Sequence, residues 1–232
     1  MTSYRVAIIA ALQAELKPLV RGWSRQPDGA FLMQSGNVAA VAVAKGMGAA
    51  RAERAVAIAE TYGALDAMIS VGWAGGASCG VQPGTAYEIG EVIDAAGGEQ
   101  YVTETVTSSI KLASLDHVAE RDEKRTIAET WGASLVDMEA ATVARLASRQ
   151  SIPFFCWKAV TDIASEDLPD FNQFLDQEKQ LRIPQLAAYA VTHPRYVAPL
   201  LRMGKNARSG AEALGRALHR WIDEGRYANS NH

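Results

Sequence analysis

The chain is poor in the residues on which metal and disulfide chemistry rests. It holds two cysteines and four histidines in 232 residues, and Cys79 and Cys156 stand far apart, outside any Cys-x-x-Cys pair or Cys/His cluster. That spacing supports neither a disulfide framework nor a zinc site, and it fits a reducing compartment. An excess of one charge is missing too: 23 Lys and Arg against 26 Asp and Glu leave a net charge of −3, spread along the chain. Sequence-independent binding of DNA or RNA needs a domain-wide basic field, so no nucleic-acid partner is expected. Long apolar runs are also lacking. No window approaches the ~20 uninterrupted apolar residues of a membrane helix. The short apolar run in residues 1–11 is followed by Gln13 and Glu15, without the length of a secretory core or a convincing cleavage site. No membrane span is expected, and the expected location is cytoplasmic.

What remains is an ordinary globular composition, 48% hydrophobic, 21% charged and 7% aromatic, which excludes disorder and fibre. No low-complexity linker marks a boundary, so one domain is expected over residues 1–225, with a frayed polar tail at 226–232. Continuous apolar runs at 5–10 (RVAIIA), 38–44 (VAAVAVA), 67–71 (AMISV) and 154–160 (FFCWKAV) read as strands covered on both faces. Helical periodicity falls between or after them, at 13–20, 49–62, 123–130, 139–148 and 205–222. This alternation predicts an α/β fold. Two strand-like pieces around a Gly-Gly turn in 84–104 add antiparallel pairing and so a mixed sheet.

In α/β sheets, ligands bind beyond the carboxyl ends of the strands, so the polar residues that follow each apolar run are the candidates. After the first run comes the segment leading to Glu15, and after the second Lys45-Gly46-Met47-Gly48 at a helix start. Gly72-Trp73-Ala74-Gly75-Gly76 follows the third, and Thr161-Asp162 follows Val160. Val136-Asp137-Met138-Glu139-Ala140-Ala141 opens a helix directly from a strand. Three carboxylates, Glu15, Glu139 and Asp162, are thereby expected at strand ends of one sheet. Singly, each has an ordinary explanation. Asp137 and Glu139 suit the free N–H groups of a first helical turn, Thr161-Asp162 suits a turn, and Glu15 suits a solvated helix. Gly46-Met47-Gly48 lacks the third glycine and the later acidic residue of a dinucleotide site. Their conjunction is what points to a site.

On IIAALQAEL (8–16), the Gly46-Met47-Gly48 loop, GWAGGA (72–77) with QPGTAYEIGEVIDA after it, VDMEAATVA (136–144) and KAVTDIASED (158–167), the chain resembles the nucleoside phosphorylase/nucleosidase superfamily. Within it the likeness is to the methylthioadenosine/S-adenosylhomocysteine nucleosidase branch. The resemblance implies a three-layer α/β/α fold around a central mixed, mostly parallel twisted sheet. It also implies cleavage of an N-glycosidic bond through an oxocarbenium-like transition state. Asp162 matches the family aspartate that handles purine N7, and Glu15 the glutamate that deprotonates water. Glu139 matches the acceptor for the ribose hydroxyls, and Met138 packs on the sugar. Ala74 and Gly75 fall in the substrate-binding glycine segment. Gly46, Gly48 and Arg51 form a loop that could meet an anion; Arg51 and Arg54 have as their alternative pairing with Glu53 and solvent. The Gly-Asp-Pro-x-Arg-like phosphate loop of the phosphorylases is absent, which favours hydrolysis. Phosphate-dependent cleavage and a non-catalytic nucleoside- or lipid-binding role stay open as alternatives. The partner implied is a small-molecule nucleoside, with no metal or organic cofactor, and the superfamily's habit of assembly implies a homo-oligomer, a dimer or larger.

Two positions depart from the pattern. Trp73 stands where relatives carry Ser or Thr, and Val118, beside His117, stands where the nucleosidase branch stacks an aromatic on adenine. Core packing is the alternative for Trp73, and a satisfied loop histidine for His117. The long segment after Asp162 resembles the hopanoid-associated phosphorylase-like branch, for which release of adenine from adenosylhopane is proposed. Arg195, Arg202 and Lys205 flank Val197, Leu200, Leu201 and Met203 there. Such a mix suits either peripheral contact with an anionic membrane surface or an amphipathic helix packed on its own sheet.

Overall fold

A computed structural model describes residues 3–105, 108–177 and 179–225. The expected tail at 226–232 lies outside the described residues. The chain begins β1 (Tyr4–Ala10), α1 (Gln13–Leu16), β2 (Ser24–Arg25), β3 (Phe31–Ser35), β4 (Val38–Ala44), α2 (Ala49–Glu60) and β5 (Ala67–Gly76). Short strands β6 (Ala86–Glu88), β7 (Glu91–Asp94), β8 (Gln100–Val102) and β9 (Lys111–Ser114) follow, then α3 (Arg121–Trp131) and β10 (Leu135–Asp137). The rest is α4 (Ala140–Arg149), β11 (Phe154–Ile163), α5 (Ile183–Thr192) and α6 (Val197–Asp223).

The strands form one mixed sheet in the order β2-β3-β4-β1-β5-β10-β9-β7-β8, with β11 beside β5 and β6 beside β11. Long parallel ladders join β4, β1, β5 and β11, and antiparallel pairs complete the edges. Val, Ile and Ala fill these central strands because both faces are covered. Ala52, Ala55, Val56 and Ala59 of α2 and Ala140, Val143, Ala144 and Ala147 of α4 pack on one face. Leu16 of α1 and Leu214, Leu218, Trp221 and Ile222 of α6 pack on the other. The architecture is the expected three-layer α/β/α arrangement. Gly210 of α6 sits so close to β11 that a Cβ there would lie 2.7 Å from the Ala159 Cβ, and Trp221 meets Phe155 and Trp157 edge-on.

Five local expectations are corrected. The segment Gly72-Trp73-Ala74-Gly75-Gly76 is strand, not a loop after one, because its backbone continues the ladder to β11 and its end pairs with β10. Thr161 and Asp162 likewise lie inside β11, where a register shift between Val160 and Asp162 bulges the strand and re-aims the side chains. The helix expected over 13–20 is a single turn ending at Leu16, since Pro18 has no N–H with which to continue the ladder. Finally, α6 starts at Val197 rather than 205, and 84–104 holds three short strands, with Gly97 and Gly98 in the turn between β7 and β8.

Trp221→Ala should lower unfolding free energy by roughly 3–5 kcal/mol, the range for removing a buried aromatic. Urea denaturation followed by far-UV circular dichroism would measure it.

Candidate active site

At the carboxyl ends of β1, β5, β10 and β11 lies a cavity of about 480 Å³ whose wall includes Glu15, Glu139 and Asp162. The three carboxylates expected at strand ends therefore converge. Glu15 is carried by the turn of α1. One carboxylate oxygen accepts from the Leu12 N–H at 2.7 Å, and the other accepts from the Trp73 N–H at 2.9 Å. This is possible because Gly72, at φ +150°, offers no side chain: a Cβ there would stand 2.9 Å from Glu15 Oε1. Burial pushes the Glu15 carboxyl above its ordinary value, opposed by those two backbone donors and by the Lys158 ammonium.

Glu139 is the residue at which β10 passes into α4. Its Oε1 accepts from the Gly48 N–H at 2.6 Å. Burial, and then the neighbouring Asp137 charge, push its pKa up to about 8 against the pull of Lys158 and the Gly48 amide. Asp137 accepts from the Ser114 hydroxyl at 2.5 Å, from the Ala140 N–H at 3.0 Å and from Lys158 Nζ at 2.7 Å. Burial opposes the Lys158 charge, but the charges of Asp137, Cys156 and Glu139 with the Asp137 hydrogen bond together outweigh it, and the ammonium is held more firmly protonated than usual. Asp162 accepts from the Thr161 hydroxyl at 2.6 Å on Oδ1 and from Lys124 Nζ at 2.5 Å on Oδ2.

Met138, Trp73, Ala74, Gly75 and Val118 also line the cavity. The Trp73 indole packs against the α6-side core, and its Nε1 donates to the Ala207 carbonyl at 2.9 Å. The core-packing alternative is thus the placement seen for much of this ring. Val118 is fixed by backbone: its N–H donates to Asn172 Oδ1 and its carbonyl accepts from Asn172 Nδ2. His117 bridges Asp116 and Glu123, and the Asp116 hydrogen bond raises its pKa.

Gly46, Gly48 and Arg51 do not reach the cavity wall; Met47 between the glycines does. The Gly46 N–H donates to the Ala11 carbonyl, and Gly48 is committed to Glu139. Glu53 pairs with Arg145 of α4 at 2.9 Å rather than with its neighbours in α2. Among the described residues no cluster of three or more His, Cys, Asp or Glu is arranged to hold a metal ion. Lys124 and Phe171, which also line the cavity, and the buried Lys158 were not among the residues expected at the site. A signal existed for Lys124: it shares the inward face of α3 with Ile127, three residues on. Phe171, in contrast, comes from a segment with no regular period.

The model of the phosphorylase superfamily matches residues 95–192, the part that carries Lys124, Glu139, Lys158 and Asp162. The match covers less than half of the chain. Helicobacter pylori 5′-methylthioadenosine/S-adenosyl homocysteine nucleosidase superposes with a TM-score of 0.72 at 12% identity, covering 97% of this chain and 100% of that one. Arabidopsis thaliana 5′-methylthioadenosine nucleosidase gives 0.72 at 19% identity, covering 96% of each chain. Futalosine hydrolase of Helicobacter pylori gives 0.71 at 13% identity, covering 95% and 97%. No curated protein matches the sequence. At these identities the structural likeness shows the fold alone, and the chemistry has to be argued from the cavity.

The raised Glu139 carboxyl also links stability to pH. Between the ordinary carboxylate value of 4.5 and about 8, the folded protein holds a proton that the unfolded chain has released. Its stabilising contribution is complete below that window and is lost as the pH rises through it. Thermal unfolding across the window should show Tm falling with pH, and Glu139→Gln should flatten that slope.

Proposed function

We propose that the chain is a nucleoside N-glycosidase that hydrolyses the N-glycosidic bond of a 5′-substituted purine nucleoside, with adenine the favoured base. The observation that carries this reading is the convergence of buried Glu15, Glu139 and Asp162 on one cavity. In the proposed reaction the C1′–N9 bond breaks and its electron pair passes into the purine. The Asp162 end of the cavity serves the departing base at N7, which must gain a proton before the base is a good leaving group. Glu139 accepts from the ribose hydroxyls as positive charge grows on the sugar, with Met138 packed on its apolar face. Water attacks C1′ and gives its proton to Glu15, whose raised pKa suits a general base.

Two observations favour water over phosphate as the attacking group. The sequence lacks the Gly-Asp-Pro-x-Arg-like loop, and the Gly48 amide, the natural anion donor of the glycine loop, is occupied by Glu139. Attachment of the Trp73 indole to α6 counts against a merely binding role, which required that ring to fill the attack position. Leu168, Leu175, Leu181 and Met203 on the cavity wall suit an apolar 5′ substituent. Exposed Ile183, Val191 and Leu201 beside Arg195, Arg202 and Lys205 support peripheral contact with an anionic lipid surface for a lipid-tailed nucleoside. No helix among the described residues is long and apolar enough to cross a membrane. The reading further takes residues 1–225 as one unit, working in the cytoplasm as a homo-oligomer.

The test is release of free base from methylthioadenosine, adenosylhomocysteine, adenosine, inosine and an adenosine with a long apolar 5′ tail, with and without phosphate. Adenine release should be independent of phosphate. It should fall by about 10²–10⁴-fold in Glu15→Gln, the range for loss of a general base, and by a comparable factor in Asp162→Asn, which disarms the base end of the cavity. A requirement for phosphate would turn the assignment to phosphorolysis, and binding without release from any substrate would turn it to a binding protein.

A further inference from the structure

The outward residues of α3 are charged, as expected of a surface helix, but Lys124 is turned inward and only 7% exposed. Its ammonium stands 2.5 Å from Asp162 Oδ2 at the cavity wall. A buried ion pair is weak grounds for stability, since an apolar residue in the same space is often as stable. The structure instead makes a path for this side chain. Gly75 of β5 has no Cβ, and one placed there would lie 2.9 Å from both Lys124 Cε and Nζ.

The pair changes what Asp162 can do. Each of its carboxylate oxygens already accepts a hydrogen bond, one from Thr161 and one from Lys124. Paired in this way, Asp162 is an acceptor, whereas an ammonium brings three donor hydrogens and no acceptor. A donor beside an acceptor is complementary to one purine edge in particular: adenine presents N7 as acceptor next to the N6 amino donor, while a 6-oxopurine presents two acceptors.

Resting on the nucleosidase reading above, we infer that Lys124 is the catalytic residue that donates to purine N7, and that Asp162 holds it there and accepts from the 6-amino group. As C1′–N9 breaks, its electron pair enters the purine and N7 takes a proton from Lys124 Nζ, leaving a neutral amine. The water oxygen bonds to C1′ and its proton passes to Glu15. After the products leave, Glu15 returns its proton to solvent and Lys124 takes one up.

The direct test needs no turnover. Calorimetric titration would compare adenine, the product base, with 7-deazaadenine, in which a C–H replaces N7, on the wild-type chain and on Lys124→Met. The wild type should prefer adenine by about 10-fold or more, as expected for a hydrogen bond from a charged donor, and the variant should bind the two within about twofold. Equal binding of both by the wild type, or an unchanged preference in the variant, overturns the assignment. A kinetic arm compares the nucleoside with a riboside carrying 4-nitrophenolate, a leaving group that needs no proton. Lys124→Met should lose about 10²–10³-fold on the nucleoside and far less on the nitrophenyl riboside; parallel losses would make Lys124 merely structural and overturn the proposal. Lys124→Gln keeps a neutral donor for Asp162 and should recover part of both effects if the methionine variant folds poorly. If wild-type protein shows the N7 preference but turns over neither substrate, the hydrolase reading fails while the N7 contact stands.

Discussion

Lys158 lies in the middle of β11 at 1% exposure, bonded to Asp137 and within electrostatic reach of Glu139 and Glu15. Three carboxylates in a space with little water would repel one another and each would resist ionising. One ammonium beneath them favours the charged forms of Glu139 and Glu15 and pairs with Asp137 at 2.7 Å, from the central strand beside β5. Burial, joined at Glu139 by the repulsion of the Asp137 charge, outweighs that pull, so the Glu139 pKa is pushed up and Glu15 stands above the ordinary range. The same position in an apolar core would be a liability, because a buried charge that loses its partner is strongly destabilising.

Glycine supplies the second constraint. At Gly72 the missing Cβ admits the Glu15 carboxylate, and at Gly75 it admits the Lys124 ammonium. Two positions of β5, three residues apart, thus open the strand to two charged side chains of the cavity wall, Glu15 and Lys124. At Trp73, between them, the backbone N–H holds Glu15 while the indole is drawn to the Ala207 carbonyl of α6. The departure from the usual small hydroxyl residue is therefore absorbed by the helix that closes the sheet. It leaves the backbone donor to Glu15 in place.

Much of the scaffold was legible because burial on both faces imposes a continuous apolar run, and the runs at 5–10, 38–44 and 154–160 match β1, β4 and the start of β11 closely. Where side chains are small or polar that signal fades. Gly72 to Gly76 and Thr161-Asp162 belong to strands by their backbone ladders alone, which no periodicity reports. Short strands such as β9 and the one-turn α1 depend on partners far along the chain. Within the site, Glu15, Glu139 and Asp162 were legible as acidic residues that follow apolar runs. Lys124 and Lys158 were not, because a lysine is ordinarily a solvated residue and only its neighbours decide otherwise.

The sequence by itself determined an α/β chain with a central sheet and three carboxylates at its strand ends, because local periodicity and the order of apolar runs depend on the backbone's own repeat. The tertiary structure alone decided which charges those carboxylates meet, since Lys124 to Asp162 and Gly48 to Glu139 are contacts across 38 and 91 residues. Proton affinity in a buried site is set by such long-range neighbours and by exclusion of water. Neither quantity exists until the layers have packed.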